Sequence, residues 1–382
     1  MRINSRAVAL VSIAALVASA CSSSATPSPV ATTTVTAAPT PVVTPVVTPV
    51  ATAKPCTVGV SWNNYAEERW AKWDEPAIQK ALTKGGAKYI SNDAKSSADT
   101  QLSNVDALIN QGANVVIILA QDGVAIEPAV KKALAAGVPV IAYDRLINDP
   151  GTFYITFNNV LVGNLQAAAL LKVKSSGNFV VIKGNKADAN ADFLRSGMVQ
   201  AGLPDVGQST ATLKNVGETY TDNWDPANAQ TEMEQFLTKN NNKIDIAFVE
   251  NDGMAGGVIA ALKSQGLAGT VPVSGQDGDA AALNRIALGT QTVDVWKDAR
   301  MLGDAAGQAA VELCAGTALA SITTDNYGPA KPFTTAGMTF NSILLTPDAI
   351  TQANLQDVLT ANWIDKATLC KDVKAGTVAV CG

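Results

Sequence analysis

Amide and carboxylate side chains recur in short groups along this 382-residue chain. They stand at Asn63-Asn64, Asn92-Asp93, Gln121-Asp122, Asp144-Arg145 and Asn158-Asn159, then at Asn185 with Asp188 and Asn190, Asn223-Trp224, Asn251-Asp252 and Gln276-Asp277. Planar polar groups of this kind make paired hydrogen bonds to adjacent hydroxyls, each of which both donates and accepts. An indole face among them can cover the apolar C–H face of a ring. The combination suits a polyhydroxylated ring such as a pyranose and calls for no cofactor and no metal. Other chemistries are excluded or poorly supported. The chain has no His, so Ser-His-Asp and Cys-His nucleophile systems and His-ligated zinc are ruled out. Val249-Glu250-Asn251-Asp252-Gly253 lacks the Gly-Lys-Ser/Thr element of a phosphate loop. With 28 Lys+Arg against 33 Asp+Glu the net charge is −5, which argues against a nucleic-acid partner.

The elements that must position these groups are legible as an alternation. Apolar runs read as strands at Thr57–Ser61, Ala87–Ser91, Val115–Leu119, Val138–Tyr143, Phe153–Thr156, Asn178–Lys183, Leu213–Glu218, Ile244–Val249 and Val271–Ser274. Between and after them, three- and four-residue apolar spacing predicts helices over Glu67–Lys84, Gln101–Gln111, Pro128–Ala136, Val160–Val173, Asp192–Ala201, Ala227–Lys239, Met254–Gln265, Ala280–Leu288 and Arg300–Ala315. Pro76 should end or kink the first of these. Strand–helix alternation predicts α/β architecture with parallel sheets. One sheet this wide is unusual, so two Rossmann-like lobes of about five or six strands each are expected, with a cleft between them. Ligands in such sheets bind beyond the carboxyl ends of the strands, where the polar groups lie. Asp and Asn there also serve as helix N-caps, and capping accounts for any one of them alone. It does not account for Arg69, Arg145, Trp224 or Lys297. Arg69 has the alternative of pairing with Glu68 or Glu75 as a solvated charge, and Lys297 that of a plain surface lysine. Trp62, Trp70, Trp73 and Trp296 read as packing residues.

The N-terminus reads as an export signal. Arg2 and Arg6 precede an apolar run from Ala7 to Ala18 that is too short to span a bilayer. Val17-Ala18-Ser19-Ala20-Cys21 resembles a bacterial lipoprotein cleavage site with Cys21 as the lipidated residue, although Ala18 stands where Leu is usual. The alternative is ordinary A-x-A cleavage with an incidental Cys. Residues 1–20 are therefore expected to be removed, leaving 26 basic and 33 acidic residues and a charge of −7. Residues 21–55 are a Thr/Pro-rich linker in which Pro41-Val42-Val43-Thr44 repeats as Pro45-Val46-Val47-Thr48. In polyproline II form, at ~3.1 Å per residue, it reaches on the order of 100 Å.

Tyr143-Asp144-Arg145 with Asn148-Asp149, Asn251-Asp252 before Ala255-Gly256-Gly257, and Ser274-Gly275-Gln276-Asp277 resemble the ribose/galactose type of periplasmic sugar-binding protein, the solute receptors of ABC transporters. Glu68-Arg69-Trp70, the run from Ala142 to Asp149, Asn240-Asn241-Asn242-Lys243-Ile244-Asp245 and the run from Ile286 to Thr292 narrow the resemblance to xylose-binding members. It extends from about Val58 to about Pro347. The resemblance implies a periplasmic binding protein type I fold, two lobes joined by a three-crossing hinge. It implies a ligand set of Arg69, Asp144, Arg145, Asp188, Asn190, Trp224, Asn251, Asp277 and Lys297. Asn63-Asn64 depart from the acids that relatives often carry. The expected lobes are 56–156 with 293–322, and 157–292 with 323–382, the crossings falling near Thr156, Val293 and Ile322.

Cys56, Cys314, Cys370 and Cys381 make an even set, which in an exported chain points to disulfides in one of three connectivities; four free thiols are the alternative. In the implied fold the helix Arg300–Ala315 ends near the start of the first strand, so the expected pairs are Cys56–Cys314 and Cys370–Cys381. The function implied is a monomeric, non-enzymatic receptor, lipid-anchored outside the cytoplasm. It would capture D-xylose and deliver it to the membrane subunits of an ABC permease, with a chemoreceptor or sensor as a further reader. Two readings stay open beside it. One is a receptor for another pentose, a hexose or a furanose signal. The other is a sugar-acting enzyme with Asp144 and Asp277 as acid and base, although Arg145 and Lys297 would keep both ionised. A transcriptional repressor of this fold would need a basic helix-turn-helix segment, which the sequence lacks.

Overall fold

A computed structural model describes residues 55–382. The signal segment, Cys21 and nearly all of the 21–55 linker lie outside the described residues. Apolar runs become buried parallel strands, as expected where helices cover both faces of a sheet. In the first lobe, β1 (Thr57–Trp62), β2 (Lys88–Asp93), β3 (Val115–Ile118), β4 (Val140–Tyr143) and β5 (Phe153–Phe157) alternate with α1 (Glu75–Lys84), α2 (Ala98–Asn110) and α3 (Glu127–Ala135). A π-helical turn, Trp70–Asp74, leads directly into α1, and Pro76 sits at the junction, in the first turn of that helix.

The chain then enters the second lobe, with α4 (Asn159–Val173), β6 (Gly177–Lys183), α5 (Ala189–Gln200), β7 (Leu213–Tyr220), α6 (Pro226–Lys239), β8 (Ile246–Val249), α7 (Asp252–Ser264), β9 (Ser274–Gln276), α8 (Ala280–Leu288) and β10 (Val293–Trp296). It returns as α9 (Ala299–Cys314), whose Leu302, Ala305, Ala306 and Leu313 pack into the same core as Val58, Val60 and Ile117. The short pair β11 (Thr323–Thr324) and β12 (Gly328–Pro329) follows, then β13 (Lys331–Thr335) and β14 (Met338–Leu345). The chain ends with β15 (Asp348–Ile350), α10 (Gln356–Thr360) and α11 (Lys366–Leu369).

The first sheet has seven strands in the order β13-β14-β5-β4-β3-β1-β2. All its pairs are parallel except β13–β14. The second consists of β7-β6-β8 and β15-β10-β9, joined by a single bridge from Ala247 to Val273. The chain passes between the two sheets after Phe157, after Trp296 and after Leu345.

Two lobe boundaries differ from the expectation. Residues 323–345 belong with the first lobe, because β14 lies parallel to β5 from Asn341 opposite Phe153 to Leu345 opposite Phe157. Its Phe340, Ile343 and Leu345 are buried there. The third crossing therefore falls near Pro347 rather than Ile322. Residues 293–296 belong with the second lobe, since β10 pairs with both β9 and β15. The strand before β10, β9, also runs Ser274–Gln276 rather than 271–274, and only Val273 makes the bridge to β8.

Disulfides tie Cys56 to Cys314, Cα atoms 5.9 Å apart, and Cys370 to Cys381, 5.4 Å apart. The first fastens the start of β1 to the end of α9. The second closes the loop after α11. No helix among the described residues is long and apolar enough to cross a membrane.

Candidate functional site

Between the carboxyl ends of the two sheets lies a narrow cavity with about 20 Å³ of free space. Eight of the nine residues expected to hold a ligand line it: Asp144, Arg145, Asp188, Asn190, Trp224, Asn251, Asp277 and Lys297. Glu67, Trp70 and Gln276 complete the wall. Larger depressions lie elsewhere on the surface, but their linings carry no comparable convergence of buried polar groups.

The first lobe sets its side of the wall through a buried charge network. Arg69 is 1% exposed, which excludes a solvated pair with Glu68 or Glu75. It stands one layer behind the cavity. Its Nε and Nη2 donate to Asp74 at 3.0 and 2.8 Å, and its Nη1 lies 3.2 Å from Asp277 and 3.3 Å from Asp144. Arg69 and Asp74 meet because the turn between them is π-helical, where residues five apart share a face. Tyr143 at the end of β4 donates to Asp74 as well. Burial pushes the Asp74 carboxyl up to about 6 even with Arg69 beside it. Burial works against the charge on Arg69, but the surrounding carboxylates Asp74, Asp144 and Asp277 outweigh it and hold the guanidinium firmly ionised. Trp70 is both core and wall: it packs with Trp62, lies 4.4 Å from the Arg69 guanidinium and donates to Glu67 at 2.7 Å.

The second lobe sets its side through backbone geometry. Asp188 caps α5, its Oδ1 accepting from Asn190 N at 3.0 Å, while Oδ2 takes Arg145 Nε at 2.9 Å. Asn251 caps α7 through Oδ1, which accepts from Met254 N at 2.9 Å. Its Nδ2 makes no hydrogen bond among the described residues. Capping and lining are thus one residue's two ends, not rival roles. Trp224 has φ of 57°, rare for a bulky side chain, and its ring lies on Gly184, where a Cβ would sit 2.1 Å from the indole. Asp144 and Asp277 also hold positive φ, 60° and 102°. Left-handed backbone at non-glycine residues is costly and gathers where a site demands it.

Several bonds cross from lobe to lobe around the cavity. Besides Arg69–Asp277 and Arg145–Asp188, Asn190 Nδ2 lies 3.2 and 3.3 Å from the backbone and side-chain oxygens of Asp144, and Gln121 donates to Asn223 at 2.9 Å. Lys297, 2% exposed and so no surface lysine, reaches Asp277 at 3.2 Å from just past β10. Burial opposes ionisation of Asp277, but Lys297 and Arg69 prevail and hold its carboxyl below the ordinary value. Burial likewise raises Asp188, against the pull of Arg145. Two buried polar atoms on the wall, Trp224 Nε1 and Gln276 Oε1, find no hydrogen-bond partner among the described residues, and Asp144 Oδ2 has only the Arg69 guanidinium at 3.3 Å.

The match to known proteins follows this geometry. Residues 58–318 match the model of the family described as periplasmic binding protein domain. The chain belongs to the periplasmic binding protein family. Among relatives, the D-xylose-binding periplasmic protein of Escherichia coli K12 is 38% identical over 315 residues, 82% of this chain and 92% of that protein. The protein of the same name from Haemophilus influenzae is 37% identical over 68% of this chain and 78% of its own length. A carbohydrate transporter solute-binding protein from Chloroflexus aurantiacus, solved with D-glucose, superposes with a TM-score of 0.72 at 25% identity. It covers 82% of this chain and 98% of that one. The lobes, parallel sheets and three-crossing hinge are therefore those of a type I periplasmic binding protein.

Glu67, Trp70 and Gln276 were not in the expected ligand set. Gln276 had a signal, since it precedes Asp277 at a strand end. Trp70 stood in the Glu68-Arg69-Trp70 motif but was read as a packing residue, and Glu67 had no signal of its own. Trp62 and Trp296 lie outside the wall and pack, the first against Tyr143 and the second against Trp363.

Proposed function

We propose that this protein is an extracytoplasmic receptor that captures a monosaccharide, D-xylose, between its lobes and hands it to the membrane subunits of an ABC permease. The observation that carries this reading is the polar wall on which Trp224 Nε1 and Gln276 Oε1 have no partner and Asp144 Oδ2 has only its ion pair with Arg69. Buried polar atoms without partners cost free energy, and sugar hydroxyls would satisfy them. With the lobes closed on each other about 20 Å³ of free space is left among these side chains, so in this reading a sugar ring enters as the lobes part.

In this reading Asp144, Asp188, Asn190, Asn251 and Asp277 accept from or donate to hydroxyls, Arg145 and Lys297 donate, and Trp224 covers the C–H face. Arg69 acts by fixing the carboxylates of Asp144 and Asp277. The names of the two 37–38% identical relatives favour xylose. Ligand and lobes close together because the sugar touches both and so favours the closed arrangement by its differential affinity. The protein is no enzyme in this reading: Asp277, held ionised by Lys297 and Arg69, accepts hydrogen bonds and is a poor proton donor. Lipid anchorage at Cys21, removal of residues 1–20 and a monomeric state complete the proposal.

Calorimetric titration with a panel of aldopentoses and hexoses tests it. The expected result is tight one-to-one binding of D-xylose. Tight binding of another sugar with none of xylose overturns the specificity, and turnover of any sugar overturns the receptor.

A further inference from the structure

Beyond the family match, which ends at residue 318, the last 28 residues form a small body of their own. Leu355, Val358, Trp363, Ile364, Leu369 and Val378 pack on Leu283, Ile286 and Ala287 of α8. Asn284 of α8 donates to the carbonyls of Leu369 and Lys371, both at 2.9 Å, and the Cys370–Cys381 disulfide closes the loop. This body is thus fastened to the second lobe. It also reaches the first. The Trp363 ring stacks on Trp73, centroids 4.6 Å apart and planes 22° apart. Arg300, at the start of α9, donates to the Ala361 carbonyl at 2.9 Å, and its guanidinium lies 5.2 Å from Trp363 and 5.4 Å from Trp73. Asp298 holds that guanidinium in place at 2.8 and 2.6 Å.

The same Trp363 touches the cavity loop. Its Nε1 donates to the carbonyl of Gly278 at 2.5 Å, one residue beyond Asp277. Gly278 has φ of 82°, and a Cβ there would lie 2.4 Å from Trp296 and 3.0 Å from Trp363. Trp73 is one helical turn beyond Arg69, whose Nη1 reaches Asp277 itself. One side chain of the C-terminal body therefore contacts both the second-lobe loop that carries Asp277 and the first-lobe helix that carries Arg69.

We propose that the C-terminal body is a clasp for the closed form, in which Trp363 is a positioning residue that links the Asp277–Gly278 loop to Trp73 of the first lobe. The inference rests on the hinge-closing receptor reading. Stacking of Trp73 on Trp363 adds to closure without touching the sugar, so its loss shortens the lifetime of the complex.

The test compares the full chain with Trp73→Ala and with Trp363→Phe, which keeps a ring and removes the N–H donor. The readouts are sugar dissociation rate, thermal midpoint with and without sugar, and radius of gyration of the ligand-free protein by X-ray scattering. Trp73→Ala is expected to speed dissociation about three- to ten-fold. It should lower the midpoint only with sugar bound and leave the ligand-free protein as open as or more open than wild type. Trp363→Phe should show a smaller effect of the same kind. Unchanged dissociation and unchanged scattering overturn the clasp. So does an equal fall of the midpoint with and without sugar, because the contact would then be present in the open form too. If the wild-type protein binds no sugar in the panel, the receptor reading fails, and the clasp then stands only if Trp73→Ala enlarges the radius of gyration of the ligand-free protein and falls if it does not.

Discussion

The two walls of the cavity use the same residue types and hold them in opposite ways. On the first-lobe side, Asp144 is steadied by other side chains, through Arg69, Asp74 and Tyr143, all of them buried. On the second-lobe side, Asp188 and Asn251 are steadied by the first turns of α5 and α7, and Trp224 by a left-handed backbone on Gly184. A wall built on a charge network is only as stable as its least compensated ion. A wall built on helix starts keeps its geometry when one side chain is lost. The two walls should therefore respond differently to the same kind of truncation.

The largest effect is expected at Asp74. Asp74→Ala leaves the buried Arg69 without its main partner, and breaking a buried ion pair from one side costs about 3–5 kcal/mol. Urea unfolding should show that loss, and sugar affinity should fall with it because Arg69 no longer fixes Asp144. A loss under ~1 kcal/mol would mean that the first wall is not held by its charges. Next comes Trp224→Ala. Covering a ring face of on the order of 70 Å² at ~25 cal/mol per Å² is worth ~2 kcal/mol, roughly thirty-fold in Kd. The unfolding midpoint should move far less than for Asp74→Ala. Unchanged affinity in calorimetry would remove the indole from the binding wall.

How much of this was legible in the sequence follows from the same contrast. Strands such as Val115–Ile118 and Phe153–Phe157 announce themselves, because a strand covered on both faces must be apolar throughout. Val293-Asp294-Val295-Trp296 did not, since a buried Asp interrupts the run, and so the second crossing was set a few residues early. Met338–Leu345 offers only alternate burial, and nothing local says that it pairs with Phe153–Phe157 nearly 190 residues earlier, so the third crossing was misplaced. At the site, residues at strand ends were readable as a group, Asp188 and Asn251 among them. The Arg69–Asp74 pair was not, because a five-residue spacing brings two side chains together in a π-helical turn and not in the α-helix that apolar periodicity predicts.

Below Asp277 the second lobe has one charged feature of its own, and it qualifies the contrast. Asp252 and Asp294 both accept from the Gly278 N–H at 3.2 Å, and both are buried. Burial, reinforced by Asp277 and Asp279, pushes Asp294 up to about 8, and burial raises Asp252 well above its usual range. A carboxyl protonated when folded and ionised when unfolded takes up a proton on folding. Its stabilising contribution is complete below pH ~4 and is lost as pH rises toward 8, by up to ~1.4 kcal/mol per unit. Asp294→Asn removes that loss. Its midpoint relative to wild type should therefore climb between pH 5 and pH 8. Parallel midpoints across that range would show that Asp294 is not held protonated in the folded protein, and the second wall's charges would then be only those of Asp188 and Asp277 with their cationic partners.

The finest test separates the two ends of Asn251. Asn251→Ser keeps an oxygen that can accept from the Met254 N–H and so preserves the cap, since Ser and Asn rank about equally there. It removes the Nδ2 donor. If the second wall is set by backbone and only decorated by side chains, the unfolding midpoint should stay within about a degree of wild type. Affinity should fall by about 1 kcal/mol, roughly five-fold, the worth of one hydrogen bond. Asn251→Ala, which loses cap and donor together, should show the same affinity loss plus ~1 kcal/mol of stability. If Asn251→Ser destabilises as much as Asn251→Ala, cap and contact are not separable, and the second wall would be as dependent on its side chains as the first.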